Sequence, residues 1–331
     1  MAIAQAVERR LTLCGLSDDA LEQVLALTLG RRNPLQESSQ MNLYRAAGVS
    51  HVMAISGLHL SVFCAAFAPL VFMVRTKMGP MLLRIIAVYI VLIVVWLYVC
   101  VAQMPMSMIR AATMLSIALI SALTPLRMRL IDVWLVSVMI ILIISPRSAV
   151  DVGFQLSSMA MLSIALCCDR DRQEAVIVNG VIINSDNGGW QDKYRESQTS
   201  YRILRKVFDV VKEWVKVSFW CQLFTAPLVA HYFGTFIPHA VIVSAFVTAY
   251  MSGVLHICFI LIVSLFIVPH AVSYALAQSI NGLLWAQMEV LRMVTANLGG
   301  GLYDVKWSRW AVALWYACIA LFIMQRGRQR P

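Results

Sequence analysis

The sequence predicts an all-α, polytopic integral membrane protein, a helical bundle of about eight to nine spans with short or broken helices and one polar cytoplasmic insert. Three observations carry this. Apolar residues make up 60% of the 331 and charged residues only 13%, against about 25% charged in soluble domains. Mean hydropathy is +0.76, and several runs exceed the roughly 18 apolar residues that suggest a spanning helix. From Val217 to Met288 there is no Asp, Glu, Lys or Arg at all. The net charge of +10 reads either as a nucleic-acid footprint or as the basic cytoplasmic loops common to membrane proteins. The eight cysteines form no C-x-x-C pattern, which gives metal or redox chemistry little support.

The elements follow in order. Residues 1–50 are amphipathic and not a signal peptide, because Glu8, Arg9, Arg10, Asp18, Asp19 and Glu22 interrupt the apolar positions. Within them Ser17 to Gly30 reads as a helix, with a serine cap, acids in the first turn and a terminal glycine. A first membrane bundle occupies 51–168, with spans at Val52 to Val74, Met81 to Val101, Ser107 to Leu123, Ile131 to Ile144 and Phe154 to Cys168. The shorter of these barely cross a hydrocarbon core of about 30 Å, so tilted, kinked or half-crossing helices are expected.

Residues 169–216 form the polar insert. Ala175 to Ile183 places β-branched runs around Asn-Gly and predicts a hairpin. Tyr194 to Lys216 predicts a basic amphipathic helix, a type that commonly lies along the membrane surface. A second bundle, 217–331, holds spans at Val217 to Phe233, Ile237 to Val268 (one helix or two) and Trp307 to Met324, with a milder stretch at His270 to Leu298 and a basic tail. Lysines and arginines concentrate after the first, third and fifth spans, which assigns those loops to the cytoplasm and the first fifty residues to the outer side.

Polar residues inside apolar segments are the functional candidates, because facing lipid is costly for them. If Val49 to Phe63 is one helix, His51, Ser56 and His59 share a face with Gly57 inside the stripe. Arg110 lies about one turn inside the third span, where it either snorkels to the interface or faces an aqueous cavity. Asp151, Gln155 and Ser158 share a helical face. Met104, Met106 and Met108 resemble a soft-metal site but lack further soft ligands. His231, His239, His256 and His270 match no zinc spacing. No P-loop motif occurs, so any driving energy comes from elsewhere.

Three motifs in one order carry a resemblance: G-V-S-H-V-M-A-I-S-G-L-H-L from Gly48, S-M-I-R-A-A-T-M from Ser107 and G-F-Q-L-S-S-M-A from Gly153. Together with L-A-L-T-L-G-R-R-N-P-L before them and L-V-A-H-Y-F-G-T-F after, they resemble the ComEC competence family. That family forms the inner-membrane channel for single-stranded DNA during natural transformation. The resemblance implies that His51, Ser56, Gly57, His59, Arg110, Gln155 and Ser157 belong to the family's shared core, and lining of the DNA path is the physical role assigned to them here as a hypothesis. Arg110 and the histidines would offer donors to phosphates, and Trp96, Phe154 and Trp220 would offer surfaces for base stacking.

The resemblance further implies single-stranded DNA, membrane lipids, a DNA receptor and a cytoplasmic motor as partners. A homo-oligomer is compatible with it, and no cofactor, metal or enzymatic activity is implied. Full-length members resemble this chain plus a soluble N-terminal domain and a metallo-β-lactamase-like domain, and no H-x-H-x-D-H series occurs here. Ser244 and Ala249 stand where an Asn and a Pro are expected. Two other readings stay open: a secondary transporter of a small solute, and an intramembrane hydrolase using Ser56 with His59 as base.

Overall fold

The computed structural model of the chain describes residues 2–31, 39–53, 55–76, 79–126, 128–167, 199–298 and 303–328. The described residues are helical almost throughout. In chain order come α1 (Ala2–Leu13), α2 (Asp18–Leu29), α3 (Ser39–Ala46), α4 (Gly57–Ala65), α5 (Ala68–Arg75), α6 (Met81–Val101) and α7 (Met106–Leu123). They continue as α8 (Leu130–Ile144), α9 (Val152–Cys167), α10 (Thr199–Phe233), α11 (Ala240–Ile267), α12 (His270–Leu298) and α13 (Arg309–Arg328). Short 3₁₀ turns occupy Ser50–Val52 and Pro146–Val150. The one ladder among the described residues pairs β1 (Thr235–Phe236) antiparallel with β2 (Tyr303–Asp304). The hairpin expected at 175–183 lies outside the described residues.

By length and composition α6, α7 and α11 are each able to cross a membrane, and α4 with α5 would make a fourth crossing as a bent pair. Helices α8, α9 and α13 are apolar but shorter. One face of α6 leaves Ile86, Ile90, Ile93 and Leu97 exposed, the expected presentation toward hydrocarbon. This is a membrane protein.

Local chemistry explains several boundaries. Ser17 accepts a hydrogen bond from the Ala20 amide, Asp18 and Asp19 fill the first turn, and Gly30 closes α2 at φ 76°, as the sequence predicts. The span expected over Val52 to Val74 is a broken one: it divides into α4 and α5, bent by 87°. Ser56 caps the start of α4, and Pro69 sits in the first turn of α5, where its missing N–H and fixed φ start a helix but cannot extend one. His51 therefore lies in a separate 3₁₀ turn, not on a helix shared with His59.

A second correction concerns the amphipathic segment before Lys216. It does not form its own surface helix but continues into the expected next span as the single helix α10 of 35 residues. No glycine or proline interrupts it between Thr199 and Ala226, and at 1.5 Å per residue it reaches about 50 Å. The region from Ile237 to Val268 is one helix, α11, despite Gly253.

Two apolar clusters organise the packing. In the first, Leu11, Val24, Leu27 and Tyr44 from α1 to α3 close against Leu255 and Leu261 of α11 and Ile280, Leu284 and Leu291 of α12. The second joins Leu60 and Val71 to Val88, Val91 and Val95 of α6 and Met108 and Ala112 of α7. They meet where Phe63 stacks on Tyr98, with centroids 4.3 Å apart, beside Phe259. The Tyr98 hydroxyl donates to the Thr28 carbonyl.

Candidate functional site

The site is built around the first turns of α7. Pro105 precedes that helix and supplies no side-chain cap. The turn leading into it holds Gln103 at φ 66° and Met104 at φ 53°, and the Met104 amide donates back to the Val99 carbonyl. This 6→1 bond is the usual glycine-favouring end of a helix, closed here by glutamine. Two left-handed residues therefore aim α7 into the bundle.

Beside it stands the start of α4. Ser56 Oγ accepts from the Leu58 amide, and His59 Nδ1 accepts from the Ser56 amide at 3.1 Å. Ser56 Oγ lies 3.2 Å from the same nitrogen. Because Nδ1 accepts a backbone N–H, the proton of the neutral ring belongs on Nε2. The pair forms a capping box, and His59 is buried. Gly57 lets the two helices touch, since a Cβ there would meet the Ala111 Cβ at 3.2 Å. Ser107 Oγ donates to the Ile55 carbonyl at 2.7 Å, tying the start of α7 to the residue before the cap.

From the other side comes α9. Ser148 Oγ donates to Met106 Sδ at 3.7 Å, Asp151 Oδ1 accepts from the Phe154 amide at 2.7 Å, and α9 begins at Val152. The starts of three helices, α4, α7 and α9, thus converge, each bringing the positive end of its dipole, with the Asp151 carboxylate capping α9.

Inside it lies Arg110, 4% exposed. Its Nε donates to Ser157 Oγ at 3.0 Å, and its Nη1 to Met114 Sδ at 3.3 Å. It does not snorkel. Among the described residues no carboxylate forms an ion pair with it, although a buried charge ordinarily needs a counter-charge. The Ser157 hydroxyl in turn donates to the Phe154 carbonyl. Two residues before Ser157, Gln155 Nε2 donates to the Ala149 carbonyl, and the Tyr232 hydroxyl of α10 donates to Gln155 Oε1 at 2.9 Å.

The structure therefore brings together Ser56, Gly57, His59, Arg110, Gln155 and Ser157 along one seam through α4, α7, α9 and α10. His51 turns toward α11, where Nε2 lies 3.2 Å from Ser244 Oγ. His51 is exposed, while the bulk of protein around it pushes its pKa down to about 4, so the imidazole is neutral at pH 7. Ser244 is one of the two positions that depart from the expected pattern.

Other sequence expectations separate here. Of the face Asp151, Gln155 and Ser158, it is the neighbouring Ser157 that meets Arg110, while Ser158 is buried with its Oγ unpartnered and its carbonyl accepting from Trp134. Phe154 is buried at 5% exposure and offers no open stacking face; Trp96 donates to Ser116. Met108 is fully buried and Met104 half exposed, while Met106 Sδ accepts from Ser148. His231, His256 and His270 each contact a backbone carbonyl. Among the described residues no group of three His, Cys, Asp or Glu is arranged to hold a metal. Ser107 and Tyr232 join the site without having been candidates by sequence, although each stands within a motif quoted above.

The family model described as Competence protein matches residues 27–329. The chain belongs to this competence protein family. A relative, ComE operon protein 3 of Bacillus subtilis (strain 168), is 31% identical over 151 residues. The match covers 46% of this chain and 19% of that relative, so the chain spans well under two thirds of the relative's length. No solved structure matches significantly.

Proposed function

We propose that this chain is the membrane core through which single-stranded DNA passes across the inner, cytoplasmic membrane during natural transformation. Membership of the competence family supports a role in DNA uptake. The observation that carries the finer reading is the seam itself: motifs about fifty residues apart in sequence meet at a buried arginine without a carboxylate partner among the described residues, where three helix starts converge. Phosphodiesters are the anions such a site attracts without reading sequence. Arg110 supplies the charged contact, Ser157, Gln155 and Ser56 the neutral polar lining. The chain crosses the membrane several times, works with a DNA receptor outside and a motor inside, and carries out no catalytic step of its own.

The Ser56 and His59 contact favours one other reading, an intramembrane hydrolase, because 3.2 Å is within reach for a nucleophile and base. Against it, the same nitrogen is held by the backbone amide of the cap. The test is delivery of labelled DNA in transformable cells lacking this gene, complemented with wild type, Arg110→Ala or Ser56→Ala. Outer-compartment uptake without cytoplasmic delivery in the deletion and in Arg110→Ala supports the channel. Normal delivery in the deletion overturns it, and loss confined to Ser56→Ala, with a hydrolysed product, moves the assignment to the enzyme.

A further inference from the structure

Helix α10 contains Pro227 in its last two turns. Proline has no N–H and its ring crowds the carbonyl four residues earlier, which here belongs to Leu223. In a membrane such a freed carbonyl must find a donor within the protein. It does: Trp315 Nε1 of α13 donates to the Leu223 carbonyl at 3.1 Å, and the adjacent Tyr316 hydroxyl donates to the Phe224 carbonyl at 2.8 Å.

The chain around α13 also holds the far side of the proline. The β1 and β2 pairing joins Thr235 to Asp304, the Val305 amide donates to the Gly234 carbonyl, and His231 Nδ1 lies 2.8 Å from the Trp307 carbonyl. Trp307 in turn packs edge-on against Trp315, centroids 5.3 Å apart. The last turns of α10 are thus gripped on both sides of the break, and they carry Tyr232, whose hydroxyl holds Gln155 two residues from Ser157.

We infer that Trp315 and Tyr316 are positioning residues: by capping the carbonyls of the proline break, α13 holds the end of α10, and with it Tyr232 and Gln155, in register with Arg110. The functional half of this inference rests on the transport reading above. The carbonyl docking does not.

A double-mutant cycle on the full chain tests it. Trp315→Phe keeps an aromatic ring, though a smaller one, and removes the donor, and Pro227→Ala restores the helical N–H that the Leu223 carbonyl lacks. The expected result is that Trp315→Phe lowers the melting midpoint of the purified protein by several degrees and cuts DNA delivery several-fold in properly inserted protein. Both losses shrink when Pro227→Ala is added. Additive losses overturn the assignment. A coupled stability loss with delivery unchanged, in a strain where Arg110→Ala abolishes delivery, overturns the positioning role. If Arg110→Ala also leaves delivery intact, the transport reading falls instead, and the stability cycle alone then decides whether the docking holds.

Discussion

The two ends of α7 each keep an arginine out of solvent, and the two are held in opposite ways. At the C-terminal end Arg84, reaching from α6, donates Nη2 to the Ala122 carbonyl at 3.2 Å. At the N-terminal end Arg110 meets only a hydroxyl and a thioether. Neither forms an ion pair among the described residues, and both are more than nine-tenths buried. The difference is in the surrounding dipoles. A cation at a helix C-terminus is stabilised by the last carbonyls, whereas one at converging N-termini is opposed by the N–H groups there. Arg84 therefore has a structural account within the chain. Arg110 is a charge with no counter-charge among the described residues.

The sharpest break of this comparison is exchange of function for stability at the two sites. Arg110→Ala is expected to cut cytoplasmic DNA delivery at least about tenfold, equivalent to about 1.4 kcal/mol, while leaving the melting midpoint nearly unchanged or raised. Arg84→Ala is expected to cost about 1–2 kcal/mol of stability with delivery per inserted molecule retained. Thermal melts and uptake measured on the same pair decide it; the reverse assignment would remove Arg110 from the DNA path.

Close approach at the two glycines sharpens it next. Gly48 sits at φ +73° with a would-be Cβ only 2.6 Å from the Ala240 Cβ, so Gly48→Ala adds a clash to a left-handed backbone and should cost about 1–3 kcal/mol. Gly57→Ala, with 3.2 Å to the Ala111 Cβ, should cost less stability but reduce delivery, because it moves α4 relative to Arg110. Denaturation and uptake assays separate the two.

At His51 the expected effect depends on pH. The folded-state pKa of about 4 lies below the unfolded value of about 6.5, so protonation favours the unfolded chain. Stability is complete above pH 6.5, begins to fall below it and has lost this contribution by about pH 4. His51→Gln should flatten melting midpoints across that window, and an unchanged pH profile would show that the ring is not desolvated. The smallest effect is expected from Gln103→Gly, which relieves a positive φ at the entrance to α7 and should raise stability by about 0.5–1 kcal/mol. No gain would mean that the left-handed turn carries little strain.

Much of the site is legible in the sequence as residue types, since Arg110, Ser157, Gln155, Ser56 and His59 stand out in apolar runs. Their pairing is not. The helical face drawn through Asp151, Gln155 and Ser158 does not pick out Ser157, because one residue of rotation decides which hydroxyl meets Arg110. His51 and His59 fall on one face only if Val49 to Phe63 is unbroken, and the Ser56 cap breaks it. Tyr232 and Ser107 carry no signal of their own in a membrane sequence rich in such residues.

By itself the sequence determined the class, an apolar all-α membrane chain, and the local punctuation, such as the Ser17 and Gly30 ends of α2. These follow from transfer free energy and from hydrogen bonds spanning one turn. Only the tertiary structure decided that α4 and α5 part at a near right-angle bend, that α10 runs as one helix from insert to bundle, that α13 supplies the donor missing at Pro227, and that Arg110 ends against Ser157. Each of those depends on which surfaces pack together across long sequence separations, and close packing selects partners by shape as well as polarity.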